Sequence, residues 1–135
     1  MCLIQRSCPV RCGLLLYNKH EKYVLRYHME LRIYTDKLGI APYDQWLDAL
    51  KDIRGRAAIR ARLERVRGGN FGDCKPLRDG VQELKIDFGP GYRVYLSKQG
   101  PVLVLLLSGS DKGDQDRAIK QAIDYLNDWK QRGKP

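Results

Sequence analysis

Residues 83–96, with the sequence ELKIDFGPGYRVYL, carry the clearest structural pattern in the chain. Apolar and polar side chains alternate along this stretch on both sides of a Gly-Pro-Gly connection at residues 89–91. The apolar positions are Leu84, Ile86, Phe88, Tyr92, Val94 and Leu96. The polar side carries Glu83, Lys85, Asp87, Arg93 and Tyr95. A period of two is typical of strands with one buried face, and a short glycine-rich connection between two such runs predicts a β-hairpin.

The hairpin places its polar residues on one face of a sheet. We expect three cross-strand pairs, namely Phe88 with Tyr92, Asp87 with Arg93, and Lys85 with Tyr95. Side chains paired in this way lie about 5 Å apart. The resulting mixture of cations, carboxylates and a phenol is either a substrate-binding surface or a polar outer face held by an Asp-Arg pair.

Upstream of the hairpin, the sequence predicts one strand and two helices. Residues 31–35 alternate as a short strand, and apolar residues recur at helical spacing from Tyr43 to Ile53. Gly55 is expected to break this first helix. A second helix is expected from about Arg56 to Arg67, where two glycines end it.

Downstream, residues 102–107 have no polar side, which predicts a central strand covered on both faces. Apolar residues at helical spacing from Ile119 to Trp129 predict a final helix, with Asp111 or Asp114 as its N-cap. The order β-α-α-β-β-β-α indicates an α+β domain in which helices pack on a mostly antiparallel sheet.

The chain has 135 residues and a net charge of +9, and 30% of its residues are charged. This length suits one domain, and the positive charge favours a polyanionic partner, most often a nucleic acid. No apolar stretch approaches the roughly 20 residues of a membrane span, and composition excludes a collagen-like or coiled-coil protein. We expect the functional domain to begin at Met29. Residues 1–28 are then a mis-assigned translation start or an extension, and the cysteines and histidines there have poor spacing for zinc.

The second helix carries six arginines at positions 54, 56, 60, 62, 65 and 67. They fall on two flanks of a narrow apolar stripe, and guanidinium groups bind phosphate oxygens through planar paired donors. The helix therefore either follows a phosphate backbone or acidic partner, or is a solvated face that pairs with Asp48 and Asp52.

The loop at residues 109–113 (GSDKG) is a further candidate site. A polar loop before a helix favours anions, and Lys112 adds charge there, although the loop also suits a plain connection. The sequence lacks a dinucleotide fingerprint and a phosphate-loop lysine motif. Without a histidine beyond His28, a Ser-His-Asp hydrolase and a histidine-driven ribonuclease are excluded from the domain.

Four segments together resemble the RelE/ParE toxin superfamily, and most closely its HigB-like addiction module killer proteins. They are residues 69–77 (GNFGDCKPL), 81–95 (VQELKIDFGPGYRVY), 109–112 (GSDK) and 115–117 (QDR). The resemblance runs from about Met29 to Trp129 and covers every predicted element.

The resemblance implies a toxin that cuts messenger RNA in the ribosomal A site without a metal. A ribose 2′-hydroxyl attacks the adjacent phosphate and leaves a 2′,3′-cyclic phosphate. Arg93 matches the arginine that stabilises the transition state, and Lys112 falls near a second cationic position. RelE has a tyrosine in its final helix where this chain has Asp116 and its neighbours. Tyr95 or Asp87 is then the hypothetical proton acceptor.

The remaining expectations concern binding partners. Arg56, Arg60, Arg67, Lys75 and Lys85 are expected to contact RNA. The implied partners are the ribosome with its message and a cognate antitoxin, typically a helix-turn-helix protein. No cofactor and no membrane partner are implied, and the expected location is the cytoplasm. The alternatives are a ParE-like gyrase poison that cleaves nothing, and a degenerate module that only binds its antitoxin.

Overall fold

The structure is a computed structural model that describes residues 28–135. The expected leader, apart from His28, and its cysteines lie outside these residues. The elements in chain order are β1 (Glu30–Ile33), α1 (Pro42–Ala49), α2 (Ile53–Arg67), β2 (Cys74–Pro76), β3 (Gln82–Ile86), β4 (Tyr92–Gln99), β5 (Leu103–Ser110), a 3₁₀ turn (Lys112–Asp114) and α3 (Gln115–Gln131). Within this range, every helix is too short or too polar to cross a membrane.

Five strands form one open sheet in the order β1-β5-β4-β3-β2. The β1–β5 pair is parallel, and the other pairs are antiparallel. Helices α1 and α2 cover one face of the sheet, and α3 covers the other. The central part of β5, Val104–Leu107, is buried between the two layers, as its unbroken apolar run predicts. The predicted α+β class with a mostly antiparallel sheet is therefore confirmed.

One strand of the sheet is missing from the sequence prediction. Strand β2 has three residues, and it pairs with β3 at the edge of the sheet. Its sequence, Cys-Lys-Pro, shows no useful alternation, and proline is tolerated there because an edge strand leaves one side unpaired. The order within the described residues is therefore β-α-α-β-β-β-β-α rather than β-α-α-β-β-β-α.

The predicted hairpin register is wrong by two residues. The pairs are Ile86 with Tyr92, Lys85 with Arg93, and Glu83 with Tyr95. The connection is longer than expected because residues 87–91 form their own turn, in which Gly89 and Gly91 have φ of 56° and 85°. A shift of two residues preserves the faces of a strand, so the polar residues of β3 and β4 still share one face. Asp87 leaves the sheet and does not lie opposite Arg93.

The break between the first two helices is also displaced from the predicted position. Helix α1 ends at Ala49, and Asp52 caps α2 by accepting a hydrogen bond from Gly55 N at 2.9 Å. Gly55 therefore lies inside the first turn of α2 and does not break a helix. A Cβ at this position would lie 2.5 Å from Asp52 Oδ2 and 2.7 Å from the Tyr92 ring, so close packing explains the glycine.

The Asp52 cap predicts a pH-dependent contribution to stability. The hydrogen bonds from Gly55 N and the Tyr92 hydroxyl lower the pKa of Asp52 below its ordinary value of 3.8. The folded protein therefore binds the proton of the Asp52 carboxyl more weakly than the unfolded chain does. The stabilisation by the ionised carboxylate is present at pH values above its ordinary pKa of 3.8 and disappears as the pH falls further. We expect Asp52→Ala to lower the melting temperature at neutral pH, and the difference from the wild type to shrink in acid.

Thermal unfolding between neutral pH and pH about 3, followed by circular dichroism, measures this effect. Asp52→Asn is the matched control, because asparagine is an equally good N-cap but does not titrate. A difference between wild type and Asp52→Ala that stays constant with pH would contradict the prediction.

Candidate functional site

Polar side chains from four neighbouring strands form two cross-strand rows on the sheet face that α3 covers. The first row contains Lys75 of β2, Glu83 of β3, Tyr95 of β4 and Ser108 of β5. The second row contains Lys85 of β3, Arg93 of β4 and Ser110 of β5. We call these seven residues, together with Gln115 of α3, the polar site. It brings together four of the residues singled out in the sequence, namely Lys75, Lys85, Arg93 and Tyr95.

Glu83 occupies the centre of the polar site and is only 3% exposed. Its Oε1 atom lies 3.4 Å from Arg93 Nε and 3.8 Å from Lys75 Nζ. Its Oε2 atom accepts a hydrogen bond of 2.7 Å from Gln115 Nε2. Sequence reasoning placed Glu83 on the polar side of the hairpin but not among the candidate site residues. The signal was a carboxylate on the same hairpin face as Lys85 and Arg93.

Arg93 is nearly enclosed by the fold, with 11% of its side chain exposed. Its Nη1 atom donates to Gly91 O at 3.2 Å, within the same hairpin. Its Nε atom is buried and forms an ion pair with Glu83, without the geometry of a hydrogen bond. The guanidinium group is thus held on two sides, and a cation fixed in this way can stabilise negative charge on a phosphate.

Tyr95 is fully buried beside Arg93, and its hydroxyl lies 3.0 Å from Ser110 Oγ. Burial raises the pKa of Tyr95 above its ordinary value of 10.0, and the hydrogen bond with Ser110 only partly opposes this rise. The phenol therefore stays protonated at neutral pH. This environment disfavours Tyr95 as a proton acceptor for a substrate at the surface.

Asp87, the other hypothetical proton acceptor, lies outside the polar site. It lines a cleft of about 420 Å³ between α2 and the edge of β3, together with Lys85, Phe88 and two arginines of α2, Arg62 and Arg65. The longer turn carries Asp87 out of the sheet, and Asp87 lines this cleft instead.

Lys112 is exposed in the 3₁₀ turn that connects β5 to α3. Asp111 caps this turn by accepting a hydrogen bond of 2.9 Å from Gly113 N. Asp114 directly precedes α3, but its side chain pairs with Arg117 at 2.9 Å instead of capping the helix. Lys112 follows Ser110, the cross-strand partner of Arg93, by two residues, so it belongs to the same end of the sheet.

The arginines of α2 belong to the opposite layer. Arg60 is exposed, Arg56 is half-buried, and Arg67 forms an ion pair of 3.4 Å with Glu64. Within residues 28–135, no arginine of α2 forms an ion pair with Asp48 or Asp52. The alternative prediction, a solvated helix face paired with these two carboxylates, is therefore wrong. The fold therefore separates the predicted RNA-binding residues Arg56, Arg60 and Arg67 from Arg93, with the sheet between them.

The chemistry of the polar site depends on fixed positive charge around one buried carboxylate. In the part of the chain that the structure describes, no group of three or more His, Cys, Asp or Glu side chains is placed to hold a metal ion. The residues present can bind an anion and stabilise charge on it through Arg93, with Lys75 and Lys85 adjacent.

A comparison with known proteins relates this chain to one from Haemophilus influenzae. No family model matches the sequence. The two proteins are 56% identical over 80 residues, which cover 59% of this chain and 81% of the other, described as an uncharacterized protein. Identity of this level over most of the other protein establishes common ancestry and a common fold. The chain belongs to the same family as this uncharacterized Haemophilus influenzae protein.

Proposed function

We propose that this protein is the toxin of a type II toxin–antitoxin module and that it cuts messenger RNA on the ribosome. The observation that carries the proposal is Arg93, whose guanidinium group is held by Glu83 and Gly91 at 3.4 Å and 3.2 Å beside two further cations. The resemblance of the hairpin and the following loop to HigB-like toxins supports the same activity.

The proposed reaction needs charge stabilisation more than acid or base chemistry. The ribose 2′-oxygen attacks the adjacent phosphorus as its proton passes to water, and the bond from phosphorus to the 5′-oxygen breaks. The leaving 5′-oxygen takes a proton from water, so the products are a 2′,3′-cyclic phosphate and a 5′-hydroxyl. Arg93 stabilises the extra negative charge on the phosphorane, and Lys85 and Lys112 contribute to the local potential. The ribosome positions the message, which supplies a large part of the rate enhancement.

The opposite layer of the domain is proposed to bind ribosomal RNA. Its exposed arginines, among them Arg60, and the net charge of +9 suit a phosphate backbone. In this arrangement the message contacts the polar site on one side of the sheet, and ribosomal RNA contacts α2 on the other. Activity on the ribosome places the protein in the cytoplasm. A basic toxin of this kind is held inactive by an acidic antitoxin, whose charge speeds and directs association.

Arg60 gives a quantitative prediction for binding to ribosomes. We expect Arg60→Ala to weaken binding to purified ribosomes and to reduce the slope of log K against log salt by about one, because one phosphate contact is lost. Lys130→Ala, at an exposed position in the last turn of α3, is the matched control. A salt slope equal to that of the wild type would exclude Arg60 from the interface.

Primer extension on a defined message in a translating extract tests the proposed function. Cuts within codons that disappear when ribosomes are omitted are expected. An intact message combined with halted DNA replication in cells would favour the gyrase poison instead. An intact message with no effect on growth would leave only a module that binds its antitoxin.

A further inference from the structure

Among the described residues, Glu83 is the one charged side chain that the fold buries. Acidic side chains are almost never buried in this way unless they are paired, because burial removes the solvation of the charge. Two cations and one amide surround this carboxylate, so its burial is compensated.

Through the two oxygens of its carboxylate, Glu83 connects its own strand, β3, to three other elements. Strand β2 contributes Lys75, β4 contributes Arg93, and the first turn of α3 contributes Gln115. The Lys75 end of this network is solvated, since 63% of that side chain is exposed, whereas the Arg93 end is nearly enclosed. The strongest electrostatic coupling is therefore between Glu83 and Arg93.

The guanidinium group of Arg93 is restrained at two of its nitrogen atoms. Glu83 lies against Nε at 3.4 Å, and Gly91 O accepts from Nη1 at 3.2 Å. Because a guanidinium group is planar and rigid, two such restraints also set the direction of its remaining N–H donors. A side chain that its neighbours orient before the substrate arrives has a smaller entropy cost of ordering when the substrate binds.

We propose that Glu83 is the positioning residue that holds the Arg93 guanidinium group for the scissile phosphate. This inference rests on the proposed function. Glu83 does not itself contact RNA, because it is 3% exposed and both of its oxygens are already engaged. Glu83 acts through Arg93, and the hydrogen bond from Gln115 to Oε2 of Glu83 holds the carboxylate in place.

The test compares Glu83→Gln with the wild type in single-turnover cleavage on ribosomes, using the full chain. A displaced guanidinium group is expected to lower the maximal single-turnover rate constant by roughly 10- to 100-fold and to leave the half-saturating ribosome concentration unchanged, because positioning affects the chemical step and not ribosome binding. Glu30→Gln is the matched control, since Glu30 forms an exposed ion pair of 2.8 Å with Arg32 on β1. That variant is expected to cleave at the wild-type rate.

A spectroscopic measurement separates this inference from the proposed function. In NMR spectra of the full chain, the Nε proton of Arg93 is expected to exchange slowly with water, and Glu83→Gln is expected to accelerate that exchange at least about tenfold. Unchanged exchange would overturn the positioning role, whether or not the protein cuts RNA. Full cleavage by Glu83→Gln alongside an inactive Arg93→Ala would overturn the positioning role and leave the proposed function standing. A fully active Arg93→Ala would instead refute the site assignment in the proposed function.

Discussion

Arg93→Ala is expected to reduce ribosome-dependent cleavage of messenger RNA by at least about 100-fold, the typical effect of removing a donor that stabilises an oxyanion in the transition state. The lost group is the guanidinium that the hairpin presents beside Lys85, its cross-strand neighbour. Growth inhibition after induction in cells is expected to disappear in parallel. Primer extension with increasing amounts of protein measures the loss directly.

The structure shows why alanine at this position needs a companion variant. Arg93 neutralises Glu83, which is 3% exposed, and removing one partner of a buried ion pair costs roughly 3–5 kcal/mol. The double variant Arg93→Ala/Glu83→Gln removes the uncompensated charge and is expected to recover most of the lost stability while staying inactive. Arg93→Lys keeps the charge but loses the planar paired donors, so it is expected to fold and to cleave poorly.

Lys37→Ala is the matched control for these variants, because Lys37 is exposed in the loop between β1 and α1. It removes one positive charge beyond β1, at the opposite edge of the sheet from β2 and β3. We expect wild-type cleavage from this variant. Wild-type cleavage by the folded Arg93→Ala/Glu83→Gln protein would show that Arg93 has no part in the reaction.

Gly109→Ala is expected to lower the free energy of unfolding by about 3 kcal/mol, the upper end for overpacking a core. A Cβ built at Gly109 would lie 2.1 Å from Cε3 of Trp46, well inside van der Waals contact. Trp46 cannot easily move aside, because its ring lies 6.2 Å from that of Tyr43 and 6.2 Å from that of Tyr92. In a domain of this size the melting temperature should fall by roughly 10–20 °C.

Thermal unfolding of Gly109→Ala and Gly113→Ala side by side checks this prediction. Gly113 has no positive φ, and a Cβ there would meet Asp111 Oδ1 at an ordinary 3.5 Å. That control should unfold close to the wild-type temperature. Trp46→Leu/Gly109→Ala is expected to be more stable than Gly109→Ala, because a smaller side chain gives the new methyl group room. Equal melting temperatures for all four proteins would mean that α1 does not pack on β5 as the structure has it.

Much of the architecture could be predicted from periodicity along the chain. The alternation on either side of residues 89–91 predicted a hairpin. The apolar run of residues 102–107 predicted a central strand, and Val104–Leu107 of β5 are buried on both faces. The spacing from Ile119 to Trp129 predicted α3, which spans Gln115–Gln131. These predictions succeed because a strand or helix that is buried on one face or on both has a characteristic local pattern of apolar residues.

The errors arise where backbone geometry or long-range contact decides the outcome. The hairpin register depends on the conformation of residues 87–91, whose two glycines at positive φ lengthen the turn. The helix break was assigned to Gly55, but that glycine is required by the approach of Tyr92, a residue far along the chain. Strand β2 forms because β3 offers it an edge, and its three residues carry too little pattern to predict it.

The amino-acid sequence alone predicts the fold class, the two faces of the hairpin and the positive charge of the domain. Each of these follows from which side chains are apolar, polar or basic, and in what period. The sequence does not show that Glu83 contacts Arg93, Lys75 and Gln115, or that the arginines of α2 lie on the other side of the sheet, and both emerge from the folded structure. The physical reason is that such contacts depend on strand register and on how helices pack across a sheet, and neither is encoded in any local pattern.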